Sequence, residues 1–155
     1  MPADRHFAGG TVVKRVIWFV VFVAALVGAV AIIGYFLPVA HEVSRSAELA
    51  KPPEAVYALI SDLKNYPAWW PENEVTVEVV EAVPPRKFVT RIVGETAFGG
   101  TWTMEIVPTS SGSRLTITER GEVYNPIFRT LSRFVFGHAA TMESCLAAAA
   151  RKLSA

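Results

Sequence analysis

The chain has 155 residues, and its 15 Lys+Arg against 14 Asp+Glu give a formal net charge of +1. That balance leaves no electrostatic footprint for nucleic acid. A single cysteine, Cys145, excludes an intrachain disulfide.

The 52% hydrophobic share is unevenly spread. Val16 to Ala40 holds no charged side chain over 25 positions. As a helix this run would measure about 37 Å, enough to cross a bilayer core of about 30 Å with some tilt. A secretory signal is the rival reading, but its apolar region is shorter, about 7–15 residues, and ends in small residues. Pro38-Val39-Ala40 places proline at a bad cleavage position. The expectation is one uncleaved transmembrane helix over 16–40, with Trp18 and Tyr35 near its ends, where amphipathic rings favour the interface. Arg5, Lys14 and Arg15 precede the run, while Arg45 and Lys51 follow it among Glu42 and Glu48. The positive-inside bias therefore places residues 1–15 in the cytoplasm and the C-terminal domain, 41–155, outside it, at the cell membrane. Ala24 with Gly28, and Ala25 with Ala29, offer small-residue faces for a membrane-protein partner or a homodimer.

After Pro38 the pattern changes. HEVSRSAELA (41–50) alternates like a strand, with Val43, Ala47 and Leu49 on one face. PPEAVYALISDL reads as a helix: Pro53 suits the first turn, Glu54 suits the positive end of the dipole, and Val56, Leu59, Ile60 and Leu63 recur at helical spacing. NYPAWWPEN is too rich in proline for a long helix, and it holds two of the four tryptophans. EVTVEVVEAV (74–83) alternates again, with Val75, Val77 and Val79 on one side, until Pro84-Pro85 breaks it. RKFVTRIVGE, GGTWTMEIVPT and SRLTITERGEVY supply three further strands, with Gly99-Gly100 and Ser110-Ser111-Gly112 at the turns. Asn125-Pro126 then opens a helix as N-cap and first residue, and the apolar spacing carries it to about Leu153. One strand, a helix, a short helix, four strands and a long helix predict an α+β domain: an antiparallel sheet wrapped around its C-terminal helix.

These residues resemble a known family. HEVSRSAELAKPPEAVYALISDLKNYPAWWP, PPRKFVTRIV, FGGTWTMEIVPTSSGSRLTITERGEVYNP and RFVFG, in this order, are similar to the START-like (SRPBCC) superfamily, and more narrowly to its polyketide cyclase/dehydratase and lipid-transport branch. The resemblance covers nearly all of 41–155 and none of 1–40. It implies a helix-grip fold, in which a bent antiparallel sheet grips the last helix around an apolar cavity. One departure stands out. Family members usually carry another hairpin before the PPRKFV strand, and here Glu72 to Val83 alone fill that interval, so five strands stand where six or seven are expected.

Within that frame YPAWWP becomes a corner beside the cavity mouth, with Trp69 and Trp70 pointing in different directions. Trp102 and Met104 share a strand face, and Phe128, Phe136 and His138 face them from the last helix. Leu115, Ile117 and Glu119 share one face by alternation, and so do Val89, Arg91 and Val93, so Glu119 and Arg91 are expected to point inward and to pair. The candidate cavity residues are therefore Trp69, Trp70, Arg91, Trp102, Met104, Glu119, Phe128 and His138. Ordinary core packing is the alternative for each.

Other chemistry is absent from the pattern. GETAFGGT (94–101) has phosphate-loop glycine spacing, but Gly100 stands where the lysine belongs, and the segment joins two strands. The three histidines and the lone cysteine form no metal-ligand or nucleophile spacing, so neither metal nor cofactor is expected. The expectation is a membrane-anchored binding protein for an apolar small molecule or lipid. An interaction subunit of a membrane complex and a cyclase/dehydratase-type enzyme are the alternatives.

Overall fold

A computed structural model describes residues 9–73 and 75–155. Arg5 and His6, together with Glu74 at the start of the second predicted strand, lie outside the described residues. Helix α1 (Gly9–Phe36) leads into strand β1 (Ala40–Leu49). Next come α2 (Pro53–Ser61), one 3-10 turn (Leu63–Asn65) and α3 (Tyr66–Trp69). Strands β2 (Val77–Val83), β3 (Lys87–Ile92), β4 (Phe98–Thr109) and β5 (Gly112–Val123) follow, then α4 (Pro126–Leu131), a π-helical turn (Ser132–Phe136) and α5 (Ala140–Ser154).

The strands form one antiparallel sheet in the order β1-β5-β4-β3-β2. The chain thus has the α+β architecture expected of it. One sheet face carries Leu49, Phe88, Met104, Ile106, Leu115 and Ile117, all buried. Against it α5 sets Met142, Cys145, Leu146 and Ala149, an i, i+3, i+4, i+7 stripe. Helix α2 adds Val56 and Ile60. Cys145 is fully buried, and that burial pushes its thiol pKa up to about 12, so it acts as an inert core residue.

Three elements differ from the sequence expectation. Helix α1 spans 9–36 rather than 16–40, because Ala40 already pairs with Glu122 in the sheet. The predicted continuous last helix is broken into two. Gly137 sits at φ +73°, a left-handed conformation that glycine adopts at no steric cost, and the chain turns there before α5 begins. Strand β2 starts at Val77, and its register shifts between Val79 and Glu81, leaving Val79 exposed.

Helix α1 is long and apolar enough to span a membrane, and its surface is exposed along most of its length. Its last two turns are bound to the domain. Gly34 packs against α4 so closely that a Cβ there would collide with the Pro126 carbonyl oxygen. Thr130 donates its hydroxyl to Val30 O at 2.9 Å. The Arg129 guanidinium, almost fully buried, donates to Gly34 O at 2.8 Å and Leu37 O at 3.1 Å. It also donates to Val123 O at 2.9 Å and Tyr124 O at 3.0 Å. A cation at the C-terminal carbonyls of α1 also complements the helix dipole. Helix α4 itself starts as expected: Asn125 Oδ1 accepts from the backbone of Ile127 and Phe128, and Pro126 takes the first position.

Candidate functional site

Between the sheet and the helices lies a cavity of about 270 Å³. Strand alternation decides what faces it. Trp102 and Glu119 are direct cross-strand partners, as are Met104 and Ile117, and Thr90 pairs with Trp102 from the other side. These side chains stand on one face and build the wall, joined by Val75, Val77, Ile92 and Phe98. Trp70, Phe128, Ser132 and His138 line it from the helical side.

YPAWWP folds into the corner that closes this cavity. Tyr66 donates to Ile60 O at 2.6 Å and packs against both tryptophans. Trp70 reaches the cavity, stacks on Trp102 with ring centroids 5.7 Å apart, and donates its indole N–H to Ser144 Oγ at 3.1 Å. Trp69 is buried behind it and does not line the cavity. Two large rings are needed because one forms the wall and the other backs it.

Part of the wall is a connected polar group. Glu119 accepts the Trp102 indole N–H on Oε2 at 2.6 Å, and His41 Nε2 lies 2.9 Å from its Oε1. Both carboxyl oxygens are thereby engaged. His41 reaches Glu119 because its cross-strand partner is Gly121, where a Cβ would occupy the space of the imidazole. The His41 ring stacks on His138, with centroids 3.8 Å apart and planes 22° apart. The result is a Trp102–Glu119–His41–His138 chain along the cavity wall.

Burial lowers the His138 pKa below its usual 6.5, and repulsion from His41 and Arg133 acts in the same direction, partly countered by Glu119. The fold therefore favours neutral His138, while the unfolded chain takes up a proton more readily. Stability from this site is present above about pH 6.5 and is lost as pH falls through the depressed pKa. Thermal unfolding from about pH 7 down to about pH 5 should show a shallower drop in Tm for His138→Asn than for the wild type. Parallel slopes would show that His138 is not the group responsible.

Of the eight candidates, Trp70, Trp102, Met104, Glu119, Phe128 and His138 line the cavity, and Trp69 and Arg91 do not. Arg91 is the substantive correction. The inward face of β3 is Phe88, Thr90 and Ile92, so Arg91 points out to solvent and pairs with Glu78 on β2 at 3.3 Å. Glu119 finds His41 and Trp102 instead. Phe136 is exposed and outside the cavity lining. His41 was missed, although alternation with Val43 already placed it on the inward face. Among the described residues no cluster of His, Cys, Asp or Glu could hold a metal ion.

The fold is that of a START-like helix-grip protein. The chain belongs to the family described as polyketide cyclase/dehydrase and lipid transport, whose sequence model matches residues 49–142. Solved structures agree on the fold. A START superfamily protein from Mycobacterium smegmatis superposes with TM-score 0.60 at 18% identity, over 74% of this chain and 97% of that one. A protein from Thermus thermophilus gives TM-score 0.52 at 22% identity, over 74% and 97%. The di-domain ARO/CYC StfQ from the steffimycin biosynthetic pathway gives 0.55 at 13% identity, over 75% of this chain but 52% of its own length. No curated protein matches the sequence.

Proposed function

We propose that the protein is a membrane-anchored binding protein for an apolar small molecule or lipid. The observation that carries this reading is the cavity: mostly aromatic and aliphatic walls, with a few hydrogen-bonding groups that include the linked Glu119, His41 and His138. Ligand sites have this character, a mostly apolar lining with a few placed polar groups that fix orientation. About 270 Å³ lies just below the usual range of roughly 300–1,000 Å³. It suits a compact ring system or one short acyl segment, with the rest of a longer lipid leaving through the mouth. The apolar part would rest on Trp70, Trp102 and Met104, and a carbonyl or hydroxyl would meet His138. Helix α1 is the anchor, with its N-terminus in the cytoplasm and the domain on the far side of the membrane, as the Lys14-Arg15 pair before the span favours.

Native mass spectrometry of the gently purified full-length protein, followed by organic extraction, tests this. One apolar molecule per chain is expected, and at least a tenfold loss of it in a folded Trp102→Ala variant. A wild-type protein that is empty and instead carries a second polypeptide would replace this reading with that of an interaction subunit.

One observation favours a second reading. The His41–Glu119–His138 group faces an apolar cavity, which is the setting for proton transfer in cyclase/dehydrase-type chemistry. On that reading Glu119→Gln abolishes turnover of a cyclic ketone or polyketide-like substrate while leaving the fold intact. Unchanged turnover in the folded variant would remove Glu119 from the chemistry.

A further inference from the structure

The segment that closes the cavity carries an unusual surface. Phe128, Phe134, Val135 and Phe136 are 52%, 66%, 66% and 65% exposed, four large apolar side chains within nine residues. They flank Arg129 and Thr130, which are hydrogen-bonded to the end of α1, where Tyr35 and Phe36 are also exposed.

Those hydrogen bonds fix the depth of the segment. Thr130 bonds to Val30 O, and Val30 lies six residues, about 9 Å, inside the end of the helix at Phe36. Lys14 and Arg15 mark the opposite interface. From Arg15 to Phe36 a helix rises about 31 Å, the thickness of a hydrocarbon core. Helix α4 is therefore held below the level of Phe36, at the boundary between headgroups and acyl chains. Its polar groups fit such a place. Arg129, Thr130, Ser132 and the Asn125 cap all find partners within the protein, as backbone and side chains must where water is scarce. Arg133 is exposed, and its long side chain can reach back toward phosphate.

The cavity mouth lies on this same side. Among the described lining residues, the exposed ones are Glu122, Phe128, Gly137 and Thr141. All four lie between the end of β5 and the start of α5, next to the segment bound to α1.

We infer that the segment from Pro126 to Phe136 is an interfacial wedge seated in the lipid bilayer, and that the cavity opens onto that bilayer rather than onto bulk water. The inference rests on the reading of α1 as a membrane span. Its partner is the lipid surface itself: apolar side chains of the wedge displace lipid at the headgroup–acyl boundary, as interfacial helices do to a depth of about 5–10 Å. A ligand dissolved in the membrane then passes Phe128 and Gly137 into the cavity without crossing water.

Variants of the full-length protein that each add one exposed cysteine, labelled with an environment-sensitive fluorophore, test both halves in phosphatidylcholine–phosphatidylglycerol vesicles. The sites are Phe22→Cys, Phe134→Cys, Thr141→Cys and Ser110→Cys, all at exposed positions. The fully buried Cys145 makes the wild type the labelling blank. Ser110 lies at the far end of the β4–β5 hairpin, about 36 Å of strand from the membrane-proximal end. Nitroxides are carried on the lipid headgroup or along the acyl chain. The Phe22 label should be quenched by deep nitroxides. The Phe134 label should be quenched by headgroup and shallow ones, several-fold more than the Ser110 label, and the Thr141 label by headgroup nitroxide. If Phe22 is quenched while Phe134 behaves like Ser110, the anchor stands and the wedge is wrong. If Phe134 is quenched but Thr141 behaves like Ser110, the mouth faces water and the portal is wrong. An unquenched Phe22 label overturns the membrane span and this inference with it.

Discussion

Replacing Arg129 with methionine should loosen helix α1 from the domain and give the largest loss of stability of any single substitution at the α1–α4 contact. The side chain is only 8% exposed and donates to four backbone carbonyl groups, two from the end of α1 and two from the end of β5. Methionine fills similar volume but donates nothing, so those carbonyls lose their donor in a place that water reaches poorly. Hydrogen bonds from a charged group are worth about 1.5–3 kcal/mol each, and the losses are not additive. Buried carbonyls left short of a partner cost about 1–3 kcal/mol each, so a total on the order of 3–5 kcal/mol is expected. Detergent-solubilised full-length protein should show it as a lower unfolding midpoint. Lysine at the same position keeps the charge but cannot span four acceptors with the planar guanidinium fork, so it should restore only part. A methionine variant as stable as the wild type would mean that the Thr130–Val30 bond and the close Gly34 packing, not Arg129, hold α1 to the domain.

Trp70→Ala should destabilise the domain by about 3–5 kcal/mol, the usual cost of truncating a buried large aromatic. Trp70 is 2% exposed and touches Tyr66, Trp69 and Trp102, so its removal takes away one side of the cavity and the support of the stacked wall. Trp70→Phe separates packing from hydrogen bonding. It keeps an aromatic face against Trp102 but loses the donor to Ser144, and it should cost about 1–2 kcal/mol less than the alanine change. Urea unfolding of the purified protein measures both. Equal losses for the two variants would place the importance of Trp70 in the Ser144 bond rather than in the aromatic corner.

Much of this architecture could be read from the residues alone. Strand alternation located all five strands, Asn125-Pro126 marked the start of α4, and an uncharged run of 25 residues marked the apolar helix. These signals are local: each comes from a period or a cap contained in one segment. Glu119 was legible for the same reason, since Leu115 and Ile117 are so apolar that their shared face had to be the core. Arg91 shows where that logic stops. Period 2 sorts residues into two faces but does not say which one is covered, and Val89, beside Arg91, is 8% exposed on the outer side of the sheet. The break at Gly137 was visible as a glycine, yet the apolar spacing ran through it, and its φ of +73° is not written in that spacing.

What the amino-acid sequence determined by itself was most of the elements, the apolar span and which residues of each strand share a face. Only the tertiary structure decided the contacts that give those elements a use. His41, Glu119 and His138 meet from positions 78 and 19 residues apart, brought together by β1–β5 pairing and by the turn at Gly137. Arg129 reaches back 95 residues to Gly34. Such contacts depend on register, on room left by Gly34 and Gly121, and on the direction in which a chain turns. None of these quantities is local, so no periodicity within a single segment can encode them.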